Sequence, residues 1–574
     1  MTHWMKILLG ASAALALVAC GNKEETPPAE NQQGEDMAKD MAAGSDSPEN
    51  TMPDLPALDA AALAENIKTL ASDDYMGRAP ATEGGQKTIA WLMETMANIG
   101  LEPANGDSYL QDVPLVEVTV DPAASSFTLN GDDGSSQILS YGDEIMFWTK
   151  QVTEETSFDN SDLVFVGHGV VAPEYGWNDY EGMDVTGKTV VMLVNDPGYR
   201  MQDSELFNGK AMTYYGRWTY KFEEAARQGA AAALVIHQTA PAAYGWGVVS
   251  GSWSGPQLDL QRPDNGAGRT KLEGWITEDV ARNLFKQAGL DFDKMEQASL
   301  SADFSPVKMG GLTASGTIKN VIKRSASQNV AGKIIGSKYP DEYVLYMAHW
   351  DHLGNSGEGE DHIYNGAVDN ATGTAGILSI AESFANAETP PERSILFLAV
   401  TAEESGLLGS AYFAEDPFVP LKNIIGGINI DAILPAGPAK DIMVVGFGAS
   451  ELEDLLAAQA KKRDRYLRPD AEPEKGYFYR SDHISLAKKG VPMLYADSGI
   501  DLIDGGEEAG RAFAEGYTSK RYHKPSDEYS DDWDINGIVS TLEILRDVGA
   551  DMAYSDIRPN WYEGNEFRAL RDAM

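Results

Sequence analysis

Cysteine is nearly absent: the 574-residue chain holds one, Cys20. That excludes an internal disulfide framework and any metal site built on thiolates. Histidine is scarce too, at 8 residues, so each one inside a polar motif carries weight. Basic residues are heavily outnumbered, 45 Lys and Arg against 88 Asp and Glu, for a formal charge of −43. Such a surface repels phosphates and excludes nucleic acid as a partner, while the acidity itself reads as a solubility or salt-tolerance trait. Beyond the N-terminus no apolar run is long enough to span a bilayer. No internal repeat is evident. The length calls for two or three folded units.

The one cysteine is placed tellingly. Lys6 supplies a positive start, residues 7–19 form an apolar stretch, and Leu17-Val18-Ala19-Cys20 closes it. This run is short for a membrane span and reads as an export signal over residues 1–20. Its last four residues resemble a bacterial lipobox, whose cysteine is lipidated and becomes the mature N-terminus. The resemblance implies a cell-envelope protein anchored through Cys20 alone, at the outer membrane or on a periplasmic or extracellular face. Gly21 rather than Asp follows the cysteine, which favours outer-membrane sorting. Residues 21–56 are rich in Glu, Asp, Pro, Gln, Asn and Ser. They cannot bury enough surface to offset ordering entropy and are expected to form a disordered acidic tether.

Periodic sequence starts near Leu58. Leu63, Ile67 and Leu70 recur at helical spacing, and Ile89, Leu92, Met93 and Met96 mark a second helix that stops at Gly100. The stretch Ser72-Asp73-Asp74-Tyr75-Met76-Gly77-Arg78 between them reads as a loop. Across residues 121–312 short β-like runs dominate, such as Leu163-Val164-Phe165-Val166, with a helix-like piece at 221–228. This span is expected to be a β-rich unit inserted between the two parts of a main domain, 57–120 and 313–574. From Asn329 onward strand, loop and helix alternate. The apolar runs 343–348, 394–400, 424–430 and 491–495 are the candidate central strands. The pattern predicts an α/β fold with a sheet covered on both faces by helices.

Three of those strands lead into residues that a buried strand would not choose. The first ends in His349-Trp350-Asp351, the second leads to Glu403-Glu404, and the third ends in Asp431. Ligands of open α/β sheets gather outside the carboxyl ends of strands, so these residues can converge. Asp369 lies in the small-residue turn Gly366-Ala367-Val368-Asp369-Asn370-Ala371-Thr372-Gly373, and His523 follows far downstream in Tyr522-His523-Lys524-Pro525. Carboxylates crowded at one sheet edge repel, and no basic side chain adjoins any of them in sequence. Divalent cations resolve the conflict; imidazole with carboxylate suits zinc, with cobalt or manganese as substitutes.

Together these motifs resemble those of the co-catalytic di-zinc metallopeptidase family that includes bacterial aminopeptidases, glutamate carboxypeptidases and the transferrin receptor. The similarity covers residues 58–120 and 315–555, and the insert resembles a protease-associated domain. The resemblance implies a zinc-exopeptidase-like, largely parallel mixed sheet and two Zn²⁺ per chain. One ion would be held by His349, Asp369 and Asp431, the other by Asp369, Glu404 and His523, with Asp351 orienting His349 and Glu403 as general base. The implied activity is removal of N-terminal residues from peptides by a metal-activated water. The alternatives are a glutamate-carboxypeptidase-like enzyme and, in a different class, a non-catalytic surface-binding protein of the receptor branch. For the oxyanion or the substrate ends, Tyr477, Tyr479, Arg480 and His483 around Ser481-Asp482 are the candidates. Arg480 is read either as a cation for a substrate carboxylate or as a partner of Asp482 or another nearby acid. His352 and His362 are read as packing or outer residues rather than ligands.

Overall fold

The computed structural model describes residues 53–203, 206–357 and 359–574. The expected signal, Cys20 and the tether as far as residue 52 lie outside them. Among the described residues no helix is long and apolar enough to cross a membrane.

The chain opens with helices α1 (Ala60–Leu70) and α2 (Glu83–Ile99). Asp59 caps α1 by accepting from the Ala61 and Ala62 N–H groups at 2.8 and 3.1 Å, which satisfies donors that the helix itself cannot. Leu63, Ile67 and Leu70 form its buried stripe. Strand β1 (Leu110–Val120) follows, and after a long excursion come β2 (Val307–Ile334) and β3 (Tyr339–His349). Helix α3 (Thr372–Ala385), strands β4 (Arg393–Val400), β5 (Ile424–Asn429) and β6 (Met493–Ser498), and helices α4 (Gly506–Lys520) and α5 (Ile535–Ala553) complete the frame.

In space the strands run β1–β2–β4–β3–β5–β6, antiparallel across β1, β2 and β4 and parallel from β4 to β6. The four central runs expected from the sequence become β3, β4, β5 and β6. Every residue of β4 and β5 is buried, because both faces of the sheet are covered, and this is why those runs are continuously apolar rather than alternating. Successive residues of β3 feed opposite faces. Val344, Tyr346 and Ala348 pack with α1, α2, α3 and α5. Tyr343, Leu345 and Met347 pack with Leu398, Phe413 and Ile484. The fold is α/β, with a mixed, largely parallel sheet between helical layers, as the sequence predicts.

Residues between Val120 and Ile318 build a second core around Phe165, Val191, Val235, Trp275 and Phe285. Its strands Glu155–Phe165, Thr189–Leu193, Ala232–His237 and Leu272–Thr277 are mutually parallel. β2 belongs to both cores: its first part pairs with Ser126–Asn130 and Glu155–Phe165, its second with β1 and β4. The strand therefore crosses residue 312 unbroken, and Ala314 and Ile318 pack in the second core. This region is also more helical than its β-like runs predict. Helix Glu278–Gln287 is capped by Thr277 and buries Val280, Ala281, Leu284 and Phe285.

Candidate metal centre

The parallel order of β4, β3 and β5 brings three strand ends side by side, and each delivers an acid or imidazole to the same edge. His349 closes β3, Glu403 and Glu404 stand just beyond β4, and Asp431 stands just beyond β5. Asp369 reaches the edge through the turn ahead of α3. Only a residue without a side chain fits at Gly366, where φ is +56° and a Cβ would lie 2.5 Å from the His352 ring. His523 arrives from the loop after α4.

Asp369 stands in the middle. Its Oδ1 lies 3.3 Å from His349 Nε2, and Asp431 Oδ1 lies 3.2 Å from the same nitrogen. Its other oxygen, Oδ2, lies 3.2 Å from His523 Nε2, which is also 3.2 Å from Glu404 Oε2. A tetrahedral zinc with bonds of about 2.0–2.1 Å has ligand-to-ligand edges of about 3.3–3.4 Å. These four separations, two at each imidazole, lie close to those edges, and the imidazole–carboxylate donor set is one that zinc takes. The residues therefore fit a divalent cation. Two further ligand-type groupings overlap these, His349 with Glu403 and Asp431, and His352 with Asp369 and Glu404. In the second, His352 Nδ1 sits 2.5 Å from Glu404 Oε1, the oxygen that His523 leaves free.

Outer contacts hold these groups in place. Ser481 donates to Asp431 Oδ2 at 2.5 Å and accepts from Asn429 Nδ2 at 2.7 Å. Asp527 accepts from the Asp369 N–H at 3.1 Å and from the Val368 N–H at 3.2 Å. Thr374 donates to the His349 carbonyl at 2.7 Å. Asp351 acts twice: its backbone carbonyl lies 3.1 Å from His349 Nδ1, while its carboxylate accepts from the Glu403 N–H at 3.0 Å. The carboxylate itself stands 3.9 Å from His349 Nδ1, so the main chain makes the closer contact.

Electrostatics follow from this crowding. Among the described residues no lysine or arginine forms an ion pair with Asp351, Asp369, Glu403, Glu404 or Asp431; only histidines do. Burial raises the Glu403 carboxyl, Glu404, Asp431 and Asp482 push it further, and His349 offsets them only in part, so it stays well above the usual range. Burial would likewise raise Glu404, but His352 and His523 hold it down at about 2. Burial would lower His523, yet its bonds to Asp369 and Glu404 lift it to about 10. Imidazoles, rather than lysine or arginine, are thus the groups in direct contact with these carboxylates among the described residues.

The expected substrate-end residues are placed differently. Tyr477 is exposed, with the Arg480 guanidinium 5.2 Å from its ring centroid. The Tyr479 hydroxyl donates to Glu566 at 2.9 Å. Arg480 donates to the Lys475 carbonyl at 2.7 Å, and among the described residues it forms no ion pair with Asp482 or another acid, which was one of the two roles read for it. His483 is buried between Phe478 and Tyr495, and burial lowers it to about 3. Other tyrosines feel the carboxylates, Tyr495 and Tyr522 among them. Tyr495 is raised by burial, then by Asp431, Asp497, Tyr522 and Glu403. Tyr522, stacked on His523 at 3.9 Å, is raised by burial, then by Asp369 and Glu404. Tyr495 carried no signal in sequence, being one aromatic in an apolar strand.

Residues 329–547 match the model of peptidase family M28. The match covers less than half of the chain. Proteins similar to this chain include the Aminopeptidase NAALADL1 of Mus musculus, 34% identical over 120 residues, which are 20% of this chain and 15% of that protein. The Glutamate carboxypeptidase 2 homolog of Caenorhabditis elegans is 30% identical over 154 residues, 26% of this chain and 19% of that protein. The chain thus spans less than a fifth of the length of either relative. Among solved structures, the aminopeptidase from Aneurinibacillus sp. strain AM-1 is 18% identical with a TM-score of 0.46, covering 86% of this chain and 93% of that one.

Proposed function

We propose that the chain is a di-zinc exopeptidase that removes N-terminal residues from peptides. The observation that carries this reading is the shared carboxylate of Asp369, with one oxygen toward His349 and the other toward His523, at 3.3 and 3.2 Å. His349, Asp369 and Asp431 would hold one ion, and Asp369, Glu404 and His523 the other, with cobalt or manganese as substitutes. When bound, the pair would polarise the scissile carbonyl and lower the pKa of a shared water toward about 7.

Glu403 is suited to the proton work. Its carboxyl holds a proton more readily than an ordinary glutamate because burial and three neighbouring acids disfavour its charge. A base of raised pKa accepts a proton from the attacking water and returns it to the leaving amine. The Asp351 carboxylate fixes the Glu403 backbone N–H, which keeps the base in register with His349. A substrate α-amino group finds an acidic neighbourhood in Glu403 and Glu404, whereas a terminal carboxylate there is repelled.

One observation favours the carboxypeptidase reading as a second. Burial and then the like charge of Arg480 lower Arg217 to about 10, and the Nε atoms of both arginines are buried without partners among the described residues. A carboxylate between them would satisfy both forks. The deciding experiment compares an amino-acid p-nitroanilide, its N-acetyl form and an N-blocked dipeptide with a free carboxylate, each on metal-free and zinc-loaded protein. Cleavage of the free-amine substrate alone, only with metal, is expected. Cleavage of the N-blocked dipeptide that is lost in Arg480→Ala would reverse the direction of attack, and full activity in stringently metal-free protein would sink the metal mechanism.

The anchor is proposed on the sequence alone. Replacement Cys20→Ser is expected to release the protein from the membrane fraction with catalysis intact. Stable anchoring by acyl chains needs more than one chain on that cysteine. An unmodified mature N-terminus in mass spectrometry would refute it.

A further inference from the structure

We propose that Arg78 is the positioning residue that sets the spacing of the two metal-binding turns, an inference that rests on the di-metal reading above. Arg78 lies far from every ligand in sequence, at the end of the short helical stretch Asp73–Arg78, yet it is 1% exposed. Its guanidinium makes four hydrogen bonds, all to backbone carbonyls. Nε donates to Trp350 at 3.0 Å, Nη1 to Leu70 at 2.6 Å and Asn365 at 2.5 Å, and Nη2 to Gly366 at 2.8 Å.

Those acceptors fall on the two elements that must be held together. Trp350 stands between His349 and Asp351, just past the end of β3. Asn365 and Gly366 open the turn that ends in Asp369. A rigid planar fork bonded to both turns sets the distance between His349 and Asp369, which a flexible ammonium could not do equally well. Leu70 ties the fork to the end of α1, and Asn365 adds a second tie, its Nδ2 donating to the Ala71 carbonyl and to Asp73 at 2.8 Å each. The close approach depends on Gly77, where φ is +71° and a Cβ would lie 2.3 Å from the Gly354 carbonyl.

The charge of Arg78 works in the opposite direction from its geometry. Burial lowers it to about 10, while Asp351, Asp527, Asp369 and Glu404 act on it through space. It remains a cation at neutral pH, and a cation near the centre repels an incoming metal ion. Removing only that charge would strengthen zinc binding, whereas removing the fork weakens it. The two roles therefore predict opposite signs.

The experiment is a zinc titration against a chromophoric chelator, with circular dichroism confirming the folded fraction. It is run on the native chain, Arg78→Lys, Arg78→Met and the control Arg393→Lys. Arg393 is a second buried arginine bonded to carbonyls, those of Met552, Ser555 and Ile557, but it stands at the amino end of β4, away from the centre. Both Arg78 variants are expected to lose about 10–100-fold in zinc affinity, as loss of an outer-shell partner does, with Arg393→Lys unchanged. Cobalt-loaded Arg78→Lys should show an altered visible spectrum. Should neither Arg78 variant fold, Asn365→Ala keeps the guanidinium and removes only its neighbouring tie, with an expected loss at the low end, about tenfold or less. Unchanged affinity in the folded variants, tighter binding in Arg78→Met, or an equal loss in Arg393→Lys overturns the proposal. A native chain that binds no zinc overturns the di-metal reading along with it.

Discussion

Glu403→Gln is expected to lower turnover by about 10²–10⁴-fold, the range for a lost acid–base group, with zinc content and thermal stability close to native. The substitution preserves shape and removes the one atom that carries the proton. Glu403 is not among the residues assigned to hold either ion, so metal content and rate separate cleanly. Its backbone N–H still reaches Asp351, at 3.0 Å in the native chain, so the turn after β4 keeps its geometry. Stability should not fall, because the native carboxyl is already disfavoured as an anion by burial and by Glu404, Asp431 and Asp482. The measurement is kcat and metal content on one preparation. Near-native turnover in Glu403→Gln would remove the residue from the role of base.

Asp369→Asn is expected to act on metal rather than on proton transfer. Both oxygens of Asp369 face imidazoles, at 3.3 Å to His349 and 3.2 Å to His523, so an amide there weakens both ions at once. The loss of zinc affinity should exceed the about 10–100-fold typical of outer-shell changes, with activity returning only at high zinc. Substitution of Asp431 should instead weaken one ion. In the native protein zinc must displace the protons held on His349 and His523. Binding should therefore release protons, and apparent affinity should rise with pH across the neutral range. Calorimetry in buffers of different ionisation enthalpy reads both quantities. Two independent single-site losses, or binding without proton release, would contradict the shared-carboxylate centre.

The legible parts of this protein are those encoded by local periodicity and by residues out of place. Continuous apolar runs announced β3 to β6, since strands buried on both faces tolerate nothing else. His349, Glu403, Glu404 and Asp431 stood out because polar groups at the ends of such runs have no packing reason to be there. The helix Glu278–Gln287 was missed, although Thr277 as cap and Val280 and Leu284 on one face carry the same kind of signal. Short β-like runs around it obscured that signal.

What the residues could not reveal one at a time was who meets whom. Arg78 reads as a loop residue, and only folding carries its guanidinium to carbonyls nearly three hundred positions away. Arg480 has acids close by in sequence, yet its side chain turns to a carbonyl and to the Tyr477 ring. Side-chain direction depends on the backbone angles of a turn and on what already occupies the space, and both are set by distant segments. The same holds for Tyr495, an ordinary strand aromatic until the pairing of β6 with β5 puts it opposite Asn429, two residues from Asp431. By itself, then, the sequence determined the α/β alternation and the chemical kinds of group at the strand ends, because burial and desolvation act residue by residue. Only the tertiary structure decided that Asp369 faces two imidazoles at once and that an arginine fork braces the turns on either side of it, because those are distances between segments that share no local code.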